Sequence, residues 1–286
     1  MNQLYKFIIL MLVISLSTAC YSKSVIIDDV KDLNIVKQHL NANKENKEDI
    51  LVIFDIDDTL LEAVNFVGST KWYDWQRGRK VFDAKGNAVS VQKHETYYCM
   101  FSTLGTLFDL GTFKLTQPDA AKIIKDMNTY DLMLLTARTY NYRRATEREL
   151  NLNGLDFTAK HLLKNQQSLD FTLNDKKRTD RVTYQNGLVM SSGLNKGMVL
   201  KEILSRVNKT YKSIYFVDDS RINITNMNEE WKNDTTTFNI FHYTKIDRAI
   251  SKEEIAESDK SKQFFDGFLK TAYPDRSEAF VDNTCR

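Results

Sequence analysis

The sequence contains little proline, and its positive and negative charges nearly cancel. Only 2 of the 286 residues are proline and 42% are hydrophobic, so the chain is neither disordered nor fibrous. It is long enough for one domain with a substantial insertion. The 40 Lys and Arg residues are balanced by 38 Asp and Glu residues. Because there is no basic excess to bind a phosphate backbone, nucleic acid is not an expected partner.

Histidine and cysteine are also scarce. The four histidines show no metal-ligand spacing: His39, His94, His161 and His242. Cys99 has no histidine nearby that would activate it, so neither a zinc site nor a cysteine nucleophile is predicted. Once an amino-terminal signal is removed, Cys99 and Cys285 would remain. An oxidising compartment would permit a disulfide between them, and two unpaired thiols are the alternative.

Long apolar runs are absent after the amino terminus. Lys6, the apolar run 7–16 and the small residues 17–19 predict a signal peptide over residues 1–19. A transmembrane helix needs roughly 20 apolar residues, so we expect an exported protein that is soluble or held only by its amino end. Cleavage before Cys20 would release it to the periplasm or the medium. Acylation of Cys20 would instead make it a lipoprotein, and only then is membrane contact expected. Ser17 stands where lipoprotein signals usually carry an aliphatic residue, which favours release.

Short apolar runs alternate with helical patterns along the rest of the chain. The runs cover residues 51–54, 132–135, 214–217 and 238–241. Helical spacing is found over residues 29–43, 118–127, 140–152, 196–207, 222–231 and 252–269. This alternation predicts an α/β fold with a central parallel sheet flanked by helices. In such sheets the ligand site lies beyond the carboxyl ends of the strands.

Two stretches interrupt the alternation. Residues 61–117 are rich in aromatic side chains, and we interpret them as an inserted cap between the core segments 20–60 and 118–286. The second stretch covers residues 154–195, and within it residues 182–190 contain Asn186-Gly187 between two strand-like runs, which predicts a β-hairpin. The cap aromatics Trp72, Tyr73 and Trp75 are expected near the mouth of the site, with packing inside the cap as the alternative for each of them.

Three of the four apolar runs end in polar residues that can bind phosphate or cations. Asp55 follows the first run, Thr136 follows the second, and Asp218 with Asp219 follows the third. One polar residue after a strand is ordinary turn chemistry, whereas three such strand ends predict a single assembled site.

The segment 54–60, Phe-Asp-Ile-Asp-Asp-Thr-Leu, places two carboxylates two positions apart directly after a buried strand. It resembles the signature of the haloacid-dehalogenase (HAD) superfamily. The resemblance continues in the required order through Thr136, Lys196 and the pair Asp218-Asp219, and it covers nearly the whole mature chain. Segments 68–75 and 191–197 are less specifically similar to an uncharacterised group of exported bacterial proteins of that superfamily.

This resemblance implies a Rossmann-like HAD core with an inserted cap, and it implies two roles for two carboxylates. Asp55 would be the nucleophile that forms an aspartyl-phosphate. Asp57 would protonate the leaving oxygen and then deprotonate the attacking water. Thr59 would orient a carboxylate, and Asp58 would be solvated or structural. Without its context, the segment would read as an exposed acidic turn.

The later motifs would hold the phosphate and the metal. Thr136 and nearby backbone amides would bind phosphoryl oxygens, although a Thr in this position is often only a helix cap. Lys196 would neutralise the nucleophile and the phosphate. Asp219 would bind Mg²⁺ directly with Asp55 and the Asp57 carbonyl, while Asp218 pairs with Lys196; the reverse order of the two aspartates is the alternative.

The expected function is therefore a magnesium-dependent phosphomonoester hydrolase acting on a small phosphorylated substrate or a phosphoprotein. The acid at Asp57 favours a phosphatase, because haloacid dehalogenases lack it. A phosphotransferase is a chemical alternative. An alternative from another class is a binding protein that keeps the fold without turnover and uses its aromatic cap to hold a partner. Arg138 would help to hold phosphate or face solvent.

Overall fold

A computed structural model of the protein describes residues 24–78, 81–82, 88–89, 96–163 and 167–276. The predicted signal peptide, Cys20, His94 and Cys285 lie outside these residues. The strands are β1 (Val25–Val30), β2 (Ile50–Phe54), β3 (Leu61–Ala63), β4 (Val81–Phe82), β5 (Ala88–Val89), β6 (Phe113–Leu115), β7 (Asp131–Thr136), β8 (Leu169–Asn174), β9 (Thr179–Gln185), β10 (Leu188–Met190), β11 (Ser213–Asp218) and β12 (Thr237–Tyr243). The α-helices are α1 (Asn34–Ala42), α2 (Thr70–Gln76), α3 (Met100–Leu110), α4 (Ala120–Asp126), α5 (Arg143–Leu152), α6 (Lys196–Arg206), α7 (Arg221–Trp231) and α8 (Lys252–Ala272).

The main sheet has the strand order β1-β12-β11-β2-β7-β10-β9-β8. Neighbours from β1 to β10 pair in parallel, while β9 pairs antiparallel with both β10 and β8. The predicted α/β fold with a mostly parallel central sheet flanked by helices is thus confirmed. The four predicted apolar runs form β2, β7, β11 and β12, which are adjacent in the sheet.

Strand β2 lies at the centre of this sheet and is buried along its whole length. Its side chains alternate between two faces, as a strand requires. Val52 and Phe54 pack in a core with residues of α1, α4 and α5, and Leu51 and Ile53 pack in a second core with residues of α6 and α7. A strand that is covered on both faces reads as a continuous apolar run, which is why it is recognisable in the sequence.

The prediction for residues 29–43 is wrong in its first part. Asp29 and Val30 belong to β1, which pairs in parallel with β12 at the sheet edge, and the helix begins only at Asn34. Most of β1 is solvent-exposed, so its sequence shows no core pattern. The predicted hairpin is confirmed, because Asn186 and Gly187 have φ angles of 51° and 80° between β9 and β10. A Cβ atom at Gly187 would lie 2.5 Å from the carbonyl oxygen of Phe157, which excludes larger residues.

The segment between β3 and β6 leaves the sheet and returns, since β3 and β6 pair antiparallel with Leu61 opposite Leu115. Helix α2 of this segment packs on the carboxyl-terminal helix α8. The Trp72 Nε1 donates a hydrogen bond to Ser258 Oγ at 3.0 Å, and Lys71 Nζ lies 2.6 Å from a carboxylate oxygen of Glu254. Helix α8 therefore holds the segment in place, a contact that the sequence did not predict.

Two further observations concern the chain as a whole. In the described residues, no helix is both long and apolar enough to cross a membrane. Cys99 is disulfide-bonded, so a free thiol at this position is excluded. The other two cysteines of the chain, Cys20 and Cys285, lie in parts that the structure does not describe.

Candidate functional site

The buried ammonium of Lys196 lies between two carboxylates at the carboxyl ends of the central strands. Its Nζ is 2.6 Å from Asp55 Oδ1 and 2.7 Å from Asp218 Oδ2. Asp55 follows β2 directly, Asp218 ends β11, and Lys196 begins α6. The Asp55 N–H still donates to the Val217 carbonyl at 2.9 Å, so the pairing of β2 with β11 fixes the spacing of the two carboxylates.

Burial changes the ionisation of this group. It disfavours the charged ammonium, but attraction by Asp218 and Asp55 outweighs that effect and raises the pKa of Lys196 above its ordinary value. Burial also raises the pKa of Asp55 to about 7; attraction by Lys196 opposes the shift, and the neighbouring charges of Asp218 and Asp57 add to it. The side chain of Lys196 is 1% exposed, so water screens these charges little.

Asp218 is held by several donors besides Lys196. Its Oδ1 accepts hydrogen bonds from the Ser220 backbone N–H at 2.9 Å and from Asn223 Nδ2 at 3.0 Å. Asn223 Nδ2 also lies 3.2 Å from Oδ2, the oxygen that binds Lys196. Both oxygens of Asp218 are thus engaged, in agreement with its expected pairing with Lys196. Asn223 was not predicted as a site residue, since a single Asn within a helix gives no sequence signal.

Asp55, Asp218 and Asp219 form a cluster that can hold a metal ion. One carboxylate oxygen from each lies within 4.8 Å of the others. A magnesium ion takes oxygen ligands at about 2.0–2.1 Å in an octahedron, so its opposite ligands are about 4.2 Å apart. The spacing and the all-oxygen donor set fit such a hard cation. The side chain of Asp57 is not part of this cluster, and the ligand expected from Asp57 is its backbone carbonyl.

The Asp57 carboxylate instead forms a two-pronged ion pair with Arg138. The Arg138 Nε donates to Oδ2 at 3.0 Å, and Nη2 donates to Oδ1 at 2.8 Å. The Asp57 side chain is 25% exposed, whereas that of Arg138 is 3% exposed. Asp57 therefore faces the open side of the site while its partner is buried behind it. The expectation that Arg138 faces solvent is wrong.

Thr136, at the end of β7, lies at the same end of the sheet as Asp55, since the register pairs Phe54 with Leu134. Its Oγ1 accepts a hydrogen bond from the Arg138 N–H at 3.2 Å, and its carbonyl accepts one from Ser191 Oγ at 2.8 Å. A hydroxyl that accepts one hydrogen bond keeps its own proton to donate. Thr136 is fully buried, with its backbone fixed from two sides.

Thr59 does not take its expected role. Its Oγ1 is buried and makes no hydrogen bond to any atom of the described residues, so it does not orient a carboxylate. Thr70, the first residue of α2, hydrogen-bonds the buried Asp58 instead. Burial raises the pKa of Asp58 to about 6, against attraction by Arg248 and this hydrogen bond. Of the two expectations for Asp58, the structural role fits its burial.

Arg248 connects the aspartate cluster to the 61–117 segment, and it was not predicted as a site residue. It lies in the loop between β12 and α8. Its Nη2 pairs with Asp219 Oδ2 and lies 3.6 Å from Asp58 Oδ2, and its Nη1 lies 3.9 Å from Asp74 Oδ2 of helix α2. An arginine in a loop without hydrophobic periodicity shows no pattern that would assign it to a site.

Comparison with known families gives one match, which spans the whole site. A family model described as "Protein of unknown function (DUF2608)" matches residues 27–270, which contain every residue of the site. The chain belongs to this DUF2608 family. No curated protein and no solved structure matches it. The description of the DUF2608 family assigns no activity.

Two of the three aromatic residues of helix α2 in this DUF2608 protein are packing residues. Trp72 and Trp75 are 0% and 1% exposed. The Trp72 ring lies edge-on to Tyr97 with the centroids 5.1 Å apart, and Trp75 packs beside Phe66 at 6.0 Å. Tyr73 is only partly buried. The alternative of packing thus holds for the two tryptophans, and Tyr73 alone of the three keeps an exposed surface.

Proposed function

We propose that this protein is a magnesium-dependent phosphomonoester hydrolase of the HAD superfamily that works through an aspartyl-phosphate on Asp55. The proposal includes a Rossmann-like HAD core with residues 61–117 as its inserted cap. The observation that carries it is the buried ammonium of Lys196 between the carboxylates of Asp55 and Asp218. An attacking carboxylate and a phosphate repel each other, and a fixed cation beside the nucleophile offsets that repulsion.

The metal site of the proposal is built by Asp55, Asp219 and the Asp57 carbonyl. Because both oxygens of Asp218 are engaged by Lys196, Ser220 and Asn223, Asp219 is the better direct ligand. Bound Mg²⁺ would mask the charge of the phosphoryl oxygens and orient the phosphate. The donor chemistry of the three-aspartate cluster supports this ion.

The chain's own residues carry the two chemical steps. A carboxylate oxygen of Asp55 attacks phosphorus as the bond to the leaving oxygen breaks, and Asp57, which enters this step in its protonated form, gives its proton to that oxygen. In the second step Asp57 takes a proton from water, whose oxygen attacks phosphorus and breaks the bond to Asp55. Inorganic phosphate is released, Asp55 is again a free carboxylate, and Asp57 is again protonated. The hydroxyl of Thr136 would donate to a phosphoryl oxygen.

The substrate and the compartment are part of the proposal. The substrate would be a small phosphorylated molecule or a phosphoprotein, with Tyr73 of the cap contributing to its selection. Export to the periplasm or the medium is supported by the disulfide bond of Cys99, because disulfides persist in oxidising compartments.

Turnover of p-nitrophenyl phosphate tests the proposal. We expect the purified mature chain to hydrolyse it with Mg²⁺ and to lose activity in excess chelator. Asp55→Asn should abolish turnover and keep a normal melting curve, because the attacking charge is lost with little change in volume. Asp126→Asn, which changes a surface ion pair with Lys37, is the matched control and should behave as wild type. Substantial turnover by Asp55→Asn would contradict the assignment, and magnesium-dependent binding without turnover would support the binding-protein alternative.

A further inference from the structure

The side chain of Arg138 is held by hydrogen bonds at every nitrogen. Arg138 holds the carboxylate that the proposed function uses as acid and base, and each of its side-chain nitrogens has a partner. Nε and Nη2 donate to Asp57, and Nη1 donates to Thr146 Oγ1 at 2.9 Å. Thr146 in turn donates its hydroxyl proton to the Tyr142 carbonyl at 2.8 Å, so only its lone pairs face the arginine.

Two aromatic rings fix the position of the guanidinium. The guanidinium carbon of Arg138 lies 4.2 Å from the ring centroid of Phe108 and 4.8 Å from that of Phe113. Such contacts are favourable for a cation over a ring face, and more so where water is excluded. Phe108 belongs to α3 and Phe113 begins β6, so both rings come from the 61–117 segment.

This geometry fixes the orientation of the guanidinium, because three of its five N–H donors are used on Asp57 and Thr146. Turning it toward the substrate would break three hydrogen bonds and separate it from Phe108. An arginine held in this way presents a rigid fork that matches a carboxylate, and a lysine cannot reproduce that fork. An acid that protonates a leaving group has to be held in the correct geometry at the moment of bond cleavage.

We infer that Arg138 is the positioning residue for the acid–base carboxylate Asp57, and that the inserted segment sets its position through Phe108 and Phe113. This inference rests on the proposed function. It makes the segment part of the proton-transfer apparatus as well as a cover for the site. It also replaces the role of phosphate binding that the sequence suggested for Arg138.

Leaving-group dependence distinguishes the two roles. Departure of p-nitrophenolate needs little protonation, whereas departure of the alkoxide from glycerol 2-phosphate needs an acid. The ratio kcat/KM reports the steps up to transfer of the phosphoryl group to Asp55, so a slow second step does not obscure the comparison. A misplaced Asp57 should therefore lower kcat/KM for the alkyl ester and spare the aryl ester.

The decisive variant is Arg138→Lys, which keeps the charge and loses the fork. We expect kcat/KM for glycerol 2-phosphate to fall on the order of 10- to 100-fold, part of the 10²–10⁴ that a general acid supplies, while p-nitrophenyl phosphate changes by less than about threefold. Asp57→Asn should show the same selective loss. An equal fall for both esters would overturn the inference, because that result identifies a phosphate-binding arginine. No change for either ester would also overturn it.

Two further variants keep the test informative if Arg138→Lys fails to fold. Thr146→Val removes the acceptor of Nη1 with little change in shape and should give the same selective loss on a smaller scale. Arg144→Lys is the matched control, since Arg144 is exposed and also pairs with the inserted segment, at Asp109, and it should leave both esters unchanged. If the wild type hydrolyses neither ester, the proposed function itself fails, which separates the two outcomes.

Discussion

Lys196 begins helix α6. The amino terminus of a helix carries a partial positive charge, which disfavours the positive charge of a lysine at this position. Its burial adds a further cost. Both are offset by the two carboxylates at 2.6 and 2.7 Å. The stability of the fold therefore depends on the attraction between the positive charge of Lys196 and the negative charges of Asp55 and Asp218.

Removal of that charge should therefore destabilise the protein. We expect Lys196→Met to lower the free energy of unfolding by about 3–5 kcal/mol, the range found when one partner of a buried ion pair is lost. Added Mg²⁺ should restore part of the loss, because a cation at the cluster again neutralises the carboxylates. Melting curves with and without Mg²⁺ measure both effects. Lys201→Met, at an exposed position of the same helix, is the control, and equal stability of the two variants would contradict the prediction.

The two neighbouring aspartates should differ in their effect on the metal. We expect Asp219→Ala to weaken Mg²⁺ affinity more than Asp218→Ala, because Asp219 is assigned as a direct ligand and Asp218 as the partner of Lys196. Asp218→Ala should instead cost more stability, since it removes the acceptor of three donors. Calorimetric titration with Mg²⁺ and melting curves give the two comparisons. A larger loss of affinity in Asp218→Ala would reverse the assignment.

At the residue level, the site residues at the ends of strands could be predicted from the sequence. Those that approach the site from loops or from the 61–117 segment could not. Asp55, Thr136 and Asp218 each follow or end an apolar run, so their meeting could be predicted from parallel strands. Lys196 came only from the resemblance and its order in the chain. Arg248 approaches through a loop and Thr70 from the inserted segment, and neither has a periodic pattern that shows which way it faces.

At the scale of elements, helix α2 contacts helix α8 with one face and Arg248, beside the aspartate cluster, with the other. Its buried face places Trp72 against α8 through the hydrogen bond to Ser258. Its other contact runs from Asp74 to Arg248, which also pairs with Asp219. The helix is thus a packing element and a neighbour of the aspartate cluster at the same time.

The aromatic residues Trp72 and Tyr73 of helix α2 should therefore differ in their effects on stability and on substrate selection. We expect Trp72→Ala to lower the free energy of unfolding by about 3–5 kcal/mol, as for other buried aromatics, without changing the ratio of catalytic efficiencies on a small and a bulky phosphomonoester. Tyr73→Ala should change that ratio with a smaller loss of stability, because Tyr73 keeps an exposed surface. If neither variant shifts the ratio, substrate selection lies outside α2.

The predicted elements differ in how their burial appears in the sequence. Strands β2, β7 and β11 are almost wholly buried and read as apolar runs. Strand β1 lies at the edge of the sheet, and most of its side chains are exposed, so it shows no apolar run. Its last residues were therefore assigned to the helix that follows it. The contact between α2 and α8 could not be predicted either, since an apolar face on a helix does not identify its partner.

At the scale of the whole molecule, the parallel sheet brings together residues that are far apart in the chain. Lys196 follows Asp55 by 141 residues in the chain. The two side chains meet because α6 begins at the end of the sheet where β2 has its carboxyl terminus. The Asp57 carboxylate, in turn, depends on Arg138, which lies 81 residues further on. The order of these residues was visible in the sequence, but their distances were set by strand register and helix packing.

Formation of an acyl phosphate on Asp55 is the central chemical claim, and trapping it tests that claim most directly. The chain is mixed with p-nitrophenyl phosphate and Mg²⁺, quenched in acid during turnover, reduced with borohydride and sequenced by mass spectrometry. Borohydride converts an acyl phosphate to an alcohol, so we expect homoserine at position 55, and none when chelator replaces Mg²⁺. Homoserine at another aspartate, or turnover with Asp55 unmodified, would contradict the mechanism.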